Sequence, residues 1–384
     1  GMLIPLSLIY QFVMAVRSFL YAYGLITSRR LVRPVISVGN LTAGGTGKTP
    51  LVIHIVQHLS PQGLGFAVLS RGYKGKSTQT VNTVSDLEGI RLGSRESGDE
   101  PYLMAEKLPG TPVLVGRDRF ALGREAVLRF DPDCLILDDG FQHLSLRREC
   151  NILLLDGDRP FGNGLCLPAG SLREGVSALR RADLIAISGD PSVEVLSRVG
   201  ALAPGVPVHI VRFAASGLRR LPSHEVESLS LLQGKRVMAF AGIARPERFF
   251  RGIEGAGAKL VHRRSFPDHH PYTGKEAASL LREGLEHKVD CLITTEKDAV
   301  RFPEVPQDLP VFALVLSVEF QDPDGFFKDS DIDDESSNIS DVSVDYNDLK
   351  LEPEIGSTDY YTPFNTNDFN KDIVAYVPSG KGWV

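Results

Sequence analysis

The sequence predicts an α/β protein. We expect a parallel sheet with helices on both faces, a smaller α/β unit after it, and an apolar helix in front. Three observations carry this expectation. Short apolar runs bounded by charge or turn residues alternate with helix-like runs from Pro34 to about Val318, the pattern of strands covered by helices. A Gly-rich turn, Val38-Gly39-Asn40-Leu41-Thr42-Ala43-Gly44-Gly45-Thr46-Gly47-Lys48-Thr49-Pro50, joins the first apolar run to the first helix-like run. Met2 to Ile26 is almost continuously apolar, broken by Gln11 and Arg17.

The N-terminal segment 2–26 admits three readings. It lacks the basic start of a secretory signal. It is long enough to span a bilayer, but Arg17 would then sit near mid-span, which is costly. A helix lying in the membrane interface fits better. Ile9, Phe12, Val13, Val16, Leu20 and Tyr23 recur at helical spacing, and Arg29, Arg30 and Arg33 follow among the expected headgroups.

The Gly-rich turn predicts a phosphate-binding loop and a P-loop NTPase-like sheet around it. Gly44, Gly45 and Gly47 let backbone N–H groups approach phosphates closely. The helix-like run from Leu51 to Leu59 points its positive end at the same anions. Thr46 completes the loop, Lys48 brings a mobile charge, and the Thr49 hydroxyl suits Mg²⁺. The common pattern G-x-x-x-x-G-K-[ST] would place glycine at position 42, where this chain has Thr42. The loop alone therefore does not specify the reaction.

Strand-like runs follow at Phe66–Ser70, Val113–Val115, Cys134–Leu137, Ile152–Leu155, Leu184–Ile187 and Val208–Val211, with a helix over Ala121–Phe130. These define a domain over 27–215. Residues 216–235 read as a connector. A smaller α/β domain over 236–320 includes Val237–Phe240, a helix after Pro246, Lys259–His262 and Cys291–Thr295. From 321 to 384 the composition is acidic and aperiodic, which predicts disorder.

Charge and cysteine usage narrow the function. The net charge is -6, and residues 321–384 carry 15 Asp and Glu against 4 Lys, which leaves the body mildly basic. Such a body suits an anionic lipid surface or a phosphorylated substrate. No aromatic-basic groove stands out, so nucleic acid is not expected. Cys134, Cys150, Cys166 and Cys291 form no C-x-x-C pair, which indicates neither a zinc site nor a redox dithiol.

Several constellations fall at carboxyl ends of predicted strands, where such sheets bind ligands. Asp138 and Asp139 end an apolar strand and suit Mg²⁺. Asp99 and Glu100 form a second acidic pair, suited to metal ligation and to base chemistry at a hydroxyl. Arg71, Arg117 and Arg119 are candidates for gripping an anionic substrate, and His143 for a phosphate or carboxylate contact. Asp268-His269-His270 holds a histidine that a carboxylate can tune. Thr294-Thr295-Glu296-Lys297-Asp298 ends another strand and faces the nucleotide from the far side in this reading.

Gly39-Asn40 with Gly44–Pro50, Ser70-Arg71-Gly72-Tyr73, Gly98-Asp99-Glu100-Pro101, Gly116-Arg117-Asp118-Arg119, Asp138–His143, Asp268-His269 and Thr295–Val300 occur in that order. In this ordered set the chain resembles the tetraacyldisaccharide 4'-kinase family over roughly residues 2–318. The resemblance implies ATP- and Mg²⁺-dependent phosphorylation of the 4'-hydroxyl of a tetraacylated disaccharide 1-phosphate, at the cytoplasmic face of the bacterial inner membrane. It implies Asp99 as catalytic base supported by His269, with Lys48 and Thr49 on phosphate and Mg²⁺. It sets Asp138, Asp139 and Glu100 around the metal and Arg71, Tyr73 and Arg119 on the substrate side. No protein partner is expected. The competing class is a membrane-associated ATPase switch of the partition or metallochaperone type. Those loops carry a Lys near their start, and Asn40–Gly44 has none.

Overall fold

The apolar runs read from the sequence assemble side by side. The computed structural model describes residues 3–330, apart from 74, 77, 78, 224, 305 and 307. In chain order it has α1 (Ile4–Ala22), β1 (Val35–Asn40), α2 (Lys48–Leu59), β2 (Phe66–Ser70), β3 (Asn82–Ser85), α3 (Ser94–Ser97), α4 (Asp99–Lys107) and β4 (Val113–Val115). Then come α5 (Arg119–Phe130), β5 (Cys134–Asp138), β6 (Cys150–Asp156), β7 (Leu184–Ser188), α6 (Val193–Leu202), β8 (Val208–Leu221), β9 (Val226–Glu227) and β10 (Arg236–Ala241). The last are α7 (Pro246–Gly255), β11 (Lys259–Ser265), α8 (Gly274–Glu286), β12 (Cys291–Thr295), α9 (Glu296–Ala299), β13 (Val311–Phe320) and α10 (Pro323–Asp329).

One sheet runs in the order β11-β10-β12-β13-β8-β7-β6-β1-β5-β2-β4-β3. Its pairs are parallel except β13 with β8, β3 with β4, and β8 with the short β9. Every residue of β1, β2, β5, β6 and β7 is buried, as expected where helices cover both faces. On one face Leu51, Val52, Ile55 and Val56 of α2 pack on Ile36, Ile136, Ile152 and Leu154. The other face buries Leu41, Phe141, Leu153, Leu155 and Leu172 together.

The segment expected to start a connector at 216 continues β8 instead, which runs to Leu221 antiparallel to β13. Its middle, Ala214-Ala215-Ser216-Gly217, lacks the bulky alternation that marks a strand, so pairing with β13 decides its form. The tail expected from 321 begins as helix: Asp322 caps α10, and Phe326 and Phe327 are buried against the α2 face. Burial of two phenylalanines outweighs the acidic composition there. The rest of that tail lies outside the described residues.

Helix α1 is long and apolar enough to cross a membrane, yet only 6% of its apolar window is buried. Its amphipathicity is inverted. Ile9, Phe12, Val13, Val16 and Phe19 are solvent-exposed. Ser7, Tyr10, Arg17 and Ser18, at helical spacing, hydrogen-bond to the body. Arg29, Arg30 and Arg33 beyond it pair with Asp118, Glu149 and Asp131.

Candidate active site

The loop between β1 and α2 is shaped by backbone demands and one side chain. Gly44 and Gly47 have φ of 119° and 97°, in the left-handed region that glycine adopts freely. A Cβ on Gly47 would also fall 2.4 Å from the Phe213 ring. Asn40 Nδ2 donates to Thr42 O at 2.7 Å and to Thr46 Oγ1 at 3.1 Å, fastening the turn from inside. Thr42 pairs with Leu172 in a one-residue bridge and has no positive φ, so glycine is not needed there. The departure from the common loop pattern is thereby explained. The loop ends at the N-terminus of α2, whose free N–H groups and dipole favour anions.

β5 lies parallel beside β1, with Val38 opposite Asp138. This register brings the Asp138-Asp139 pair to the loop. Ser70 Oγ donates to Asp138 Oδ2 at 3.0 Å, while the buried Oδ1 has no hydrogen-bond partner among the described residues. Burial, then Glu100 and Asp139, push the Asp138 carboxyl up to about 7. Asp139 receives Arg173 at 2.8 Å on each oxygen and lies 3.4 Å from Lys48 Nζ. Burial alone would raise its pKa, but Lys48 and Arg173 hold it below the ordinary carboxylate range. A buried Asp138 oxygen without a hydrogen-bond partner, beside the carboxylates of Asp139 and Glu100, fits a divalent cation. Among the described residues no group of three or more His, Cys, Asp or Glu side chains is placed to hold a metal ion by itself. Mg²⁺ taken with a substrate's phosphates needs only one or two carboxylates.

Facing this is a cluster drawn from both parts of the chain. α4 begins at Asp99, after Gly98 with φ 93°. Asp99 Oδ2 lies 2.7 Å from His269 Nδ1 and 3.3 Å from Arg301 Nε. Lys297 Nζ lies 3.2 Å from His269 Nε2 and 2.9 Å from Glu100. Because an ammonium only donates, Nε2 accepts and Nδ1 carries the hydrogen donated to Asp99. Burial lowers the Lys297 pKa, but Glu100 and Asp268 more than reverse this, so it remains charged. Arg301 also reaches buried Asp298 at 2.5 Å, and Asp298 accepts from Gly242 N and Thr295 Oγ1. This frame sets Arg301 against the base.

The remaining expected residues divide. The Tyr73 ring lies tilted beside that of His269, with ring centroids 5.7 Å apart. Arg71 and Arg117 are exposed at the ends of β2 and β4. Arg119 is buried, its Nη1 donating to Gly116 O and Arg117 O, and its Nε has no hydrogen-bond partner among the described residues. Burial and then Arg71 lower its pKa. His143 contacts Ser145 Oγ within its own turn, and burial followed by Arg119 and Arg148 lowers it to about 4. His270 turns away to Glu276 at 3.0 Å, at the start of α8. Sequence reasoning assigns no role to Arg173 or Arg301, whose partners are 34 and 202 positions away. It assigns none to Asn40, although its place in the loop is an available signal.

A phosphate loop with an adjacent strand-end carboxylate, opposed by a carboxylate–histidine pair, defines a P-loop phosphotransferase. Comparison narrows the class. The family described as Tetraacyldisaccharide-1-P 4'-kinase matches residues 1–331. A tetraacyldisaccharide 4'-kinase of Geobacter metallireducens is 42% identical over 324 residues, covering 84% of this chain and 95% of that one. Another, of Geobacter sulfurreducens, is 45% identical over 326 residues, covering 83% and 89%. The crystal structure of the "apo" form of LpxK from Aquifex aeolicus in complex with ATP has a TM-score of 0.70 at 33% identity, covering 85% of this chain and 96% of that one. The chain belongs to the tetraacyldisaccharide 4'-kinase family.

Proposed function

We propose that the chain moves the γ-phosphoryl group of ATP to the 4'-hydroxyl of a tetraacylated disaccharide 1-phosphate, the lipid A precursor. The family relationship supports this reading, and one observation of the site carries it. The Asp99–His269 pair stands across from the phosphate loop, with His269 and Arg301 both engaging Oδ2 of Asp99 and no partner for its Oδ1 among the described residues. Oδ1 is left to accept the hydroxyl proton as the sugar oxygen attacks phosphorus and the bond to ADP breaks.

Each residue has a physical task. The loop N–H groups, Lys48 and the α2 N-terminus cradle and neutralise the phosphates, since phosphoryl transfer needs positioning and charge more than covalent chemistry. Thr49, Asp138 and Asp139, with Glu100 near, would hold Mg²⁺, which supplies charge neutralisation when bound. His269 orients Asp99, and Lys297 sets the histidine tautomer. Arg71, Tyr73, Arg117, Arg119 and His143 line the acceptor side in this reading.

The acceptor's acyl chains keep it in a bilayer, so the enzyme must come to the membrane. The outward apolar face of α1 supports an interfacial helix that brings the site to the cytoplasmic face of the inner membrane. No nucleic acid or protein partner is invoked. The test is labelled ATP with the disaccharide lipid in detergent. Label in the lipid supports the reading, and phosphate released with no lipid labelled contradicts it.

A further inference from the structure

We infer that α1 positions the phosphate loop as well as anchoring the chain, and that Tyr10 is the positioning residue that transmits this. The inference rests on the kinase reading above. The segment 166–173 lies between helix and loop and bonds to both. On the loop side Thr42 bridges to Leu172, Ala43 N donates to Ser171 O at 2.7 Å, and Arg173 N donates to Leu41 O at 2.8 Å. On the helix side Ser7 Oγ donates to Cys166 O at 2.6 Å and Tyr10 Oη to Arg173 O at 3.0 Å. Tyr10 also packs on the apolar cluster that holds Leu41 and Leu172.

Arg173 is the junction. Its N–H holds the first residue of the loop, Leu41, its carbonyl takes Tyr10, and its guanidinium holds Asp139, which lies 3.4 Å from Lys48. A second route runs in parallel. Arg17 donates to Gln142 O at 3.1 Å, and Gln142 Nε2 donates to Asn40 O at 3.0 Å. Asn40 is the side chain that fastens the loop from inside. Two polar positions two turns apart on the docked face of α1 thus each end on the loop. A helix serving only as an anchor needs to bury its polar face somewhere. It does not need both contacts to converge on the phosphate-binding turn.

The test removes anchoring from the measurement. Binding of Mg²⁺ with a non-hydrolysable ATP analogue is measured calorimetrically on the full chain in detergent without lipid, for wild type, Tyr10→Phe and Arg17→Gln. Loss of the Tyr10 hydrogen bond is expected to weaken nucleotide binding about 3- to 10-fold, and Arg17→Gln to weaken it by a similar factor. Melting of both variants without nucleotide is expected to stay within about 4 °C of wild type, since each loses one part-buried hydrogen bond. Wild-type affinity in both variants would overturn the inference, leaving α1 as an anchor. If Tyr10→Phe fails to fold, the affinity of Arg17→Gln decides alone. Failure of the wild type to bind the analogue would instead overturn the kinase reading.

Discussion

If Asp99 is the base and His269 acts only through it, their effects on rate will not multiply. Asp99→Asn keeps the shape but removes the proton acceptor, and a positioned base is worth about 10² to 10⁴ in rate. His269 has φ 62°, so His269→Gly is the substitution that removes the ring without straining the chain, because glycine adopts that backbone freely. With no side chain at 269, the 2.7 Å contact with Asp99 is lost. A hydrogen bond to a charged group contributes about 1.5–3 kcal/mol, which corresponds to roughly 10- to 150-fold in rate. The double variant should be no slower than Asp99→Asn alone. Single-turnover rates with saturating ATP and lipid measure all three. Nucleotide affinity should stay within about twofold in each, because the phosphate-holding groups sit on other elements. Fully multiplicative losses in the double variant would refute this division of roles, and so would loss of nucleotide binding in Asp99→Asn.

Other substitutions test the framework. Gly47→Ala places a Cβ 2.4 Å from the Phe213 ring at φ 97° and should abolish nucleotide binding, with about 1–3 kcal/mol of backbone strain added in denaturant titration. Phe326→Ala empties a fully buried site and should cost about 3–5 kcal/mol in urea titration. A chain ending at Gln321 should lose at least as much. The fold should also weaken in acid on account of His143. Its folded pKa is about 4 against an ordinary 6.5, because burial and then Arg119, Arg148 and Arg17 disfavour charge while Asp118 opposes them. The depressed value means that its contribution is present above pH 6.5 and is lost as pH falls toward 4. His143→Gln should flatten that slope, and an unchanged slope would remove His143 as the cause.

What is legible in the sequence is what lies close together along it. The loop, the Asp138-Asp139 strand end and the Asp99-Glu100 turn are each short segments in which a strand or helix boundary meets chemistry. The convergence of Asp99 with His269 comes from the family resemblance, since they stand 170 positions apart. Arg301 and Arg173 are hidden because an arginine in a polar stretch reads as surface until a fold turns it inward. The end of β8 over 216–221 is hidden because the small residues Ala214, Ala215, Ser216 and Gly217 leading into it leave pairing to a distant strand, and α10 because its acids obscure Phe326 and Phe327. The inverted face of α1 is half visible. Its apolar residues stand out, but the polar ones look like interruptions, whereas Ser7, Tyr10 and Arg17 are its docking surface.

The central claim, transfer of one phosphoryl group to a single hydroxyl, is tested most directly by mass spectrometry of the lipid after incubation with ATP and Mg²⁺. The account predicts a gain of one phosphate on the tetraacylated disaccharide 1-phosphate and none on its 4'-deoxy analogue. Equal phosphorylation of the deoxy analogue, or ATP consumed with neither lipid modified, would contradict it.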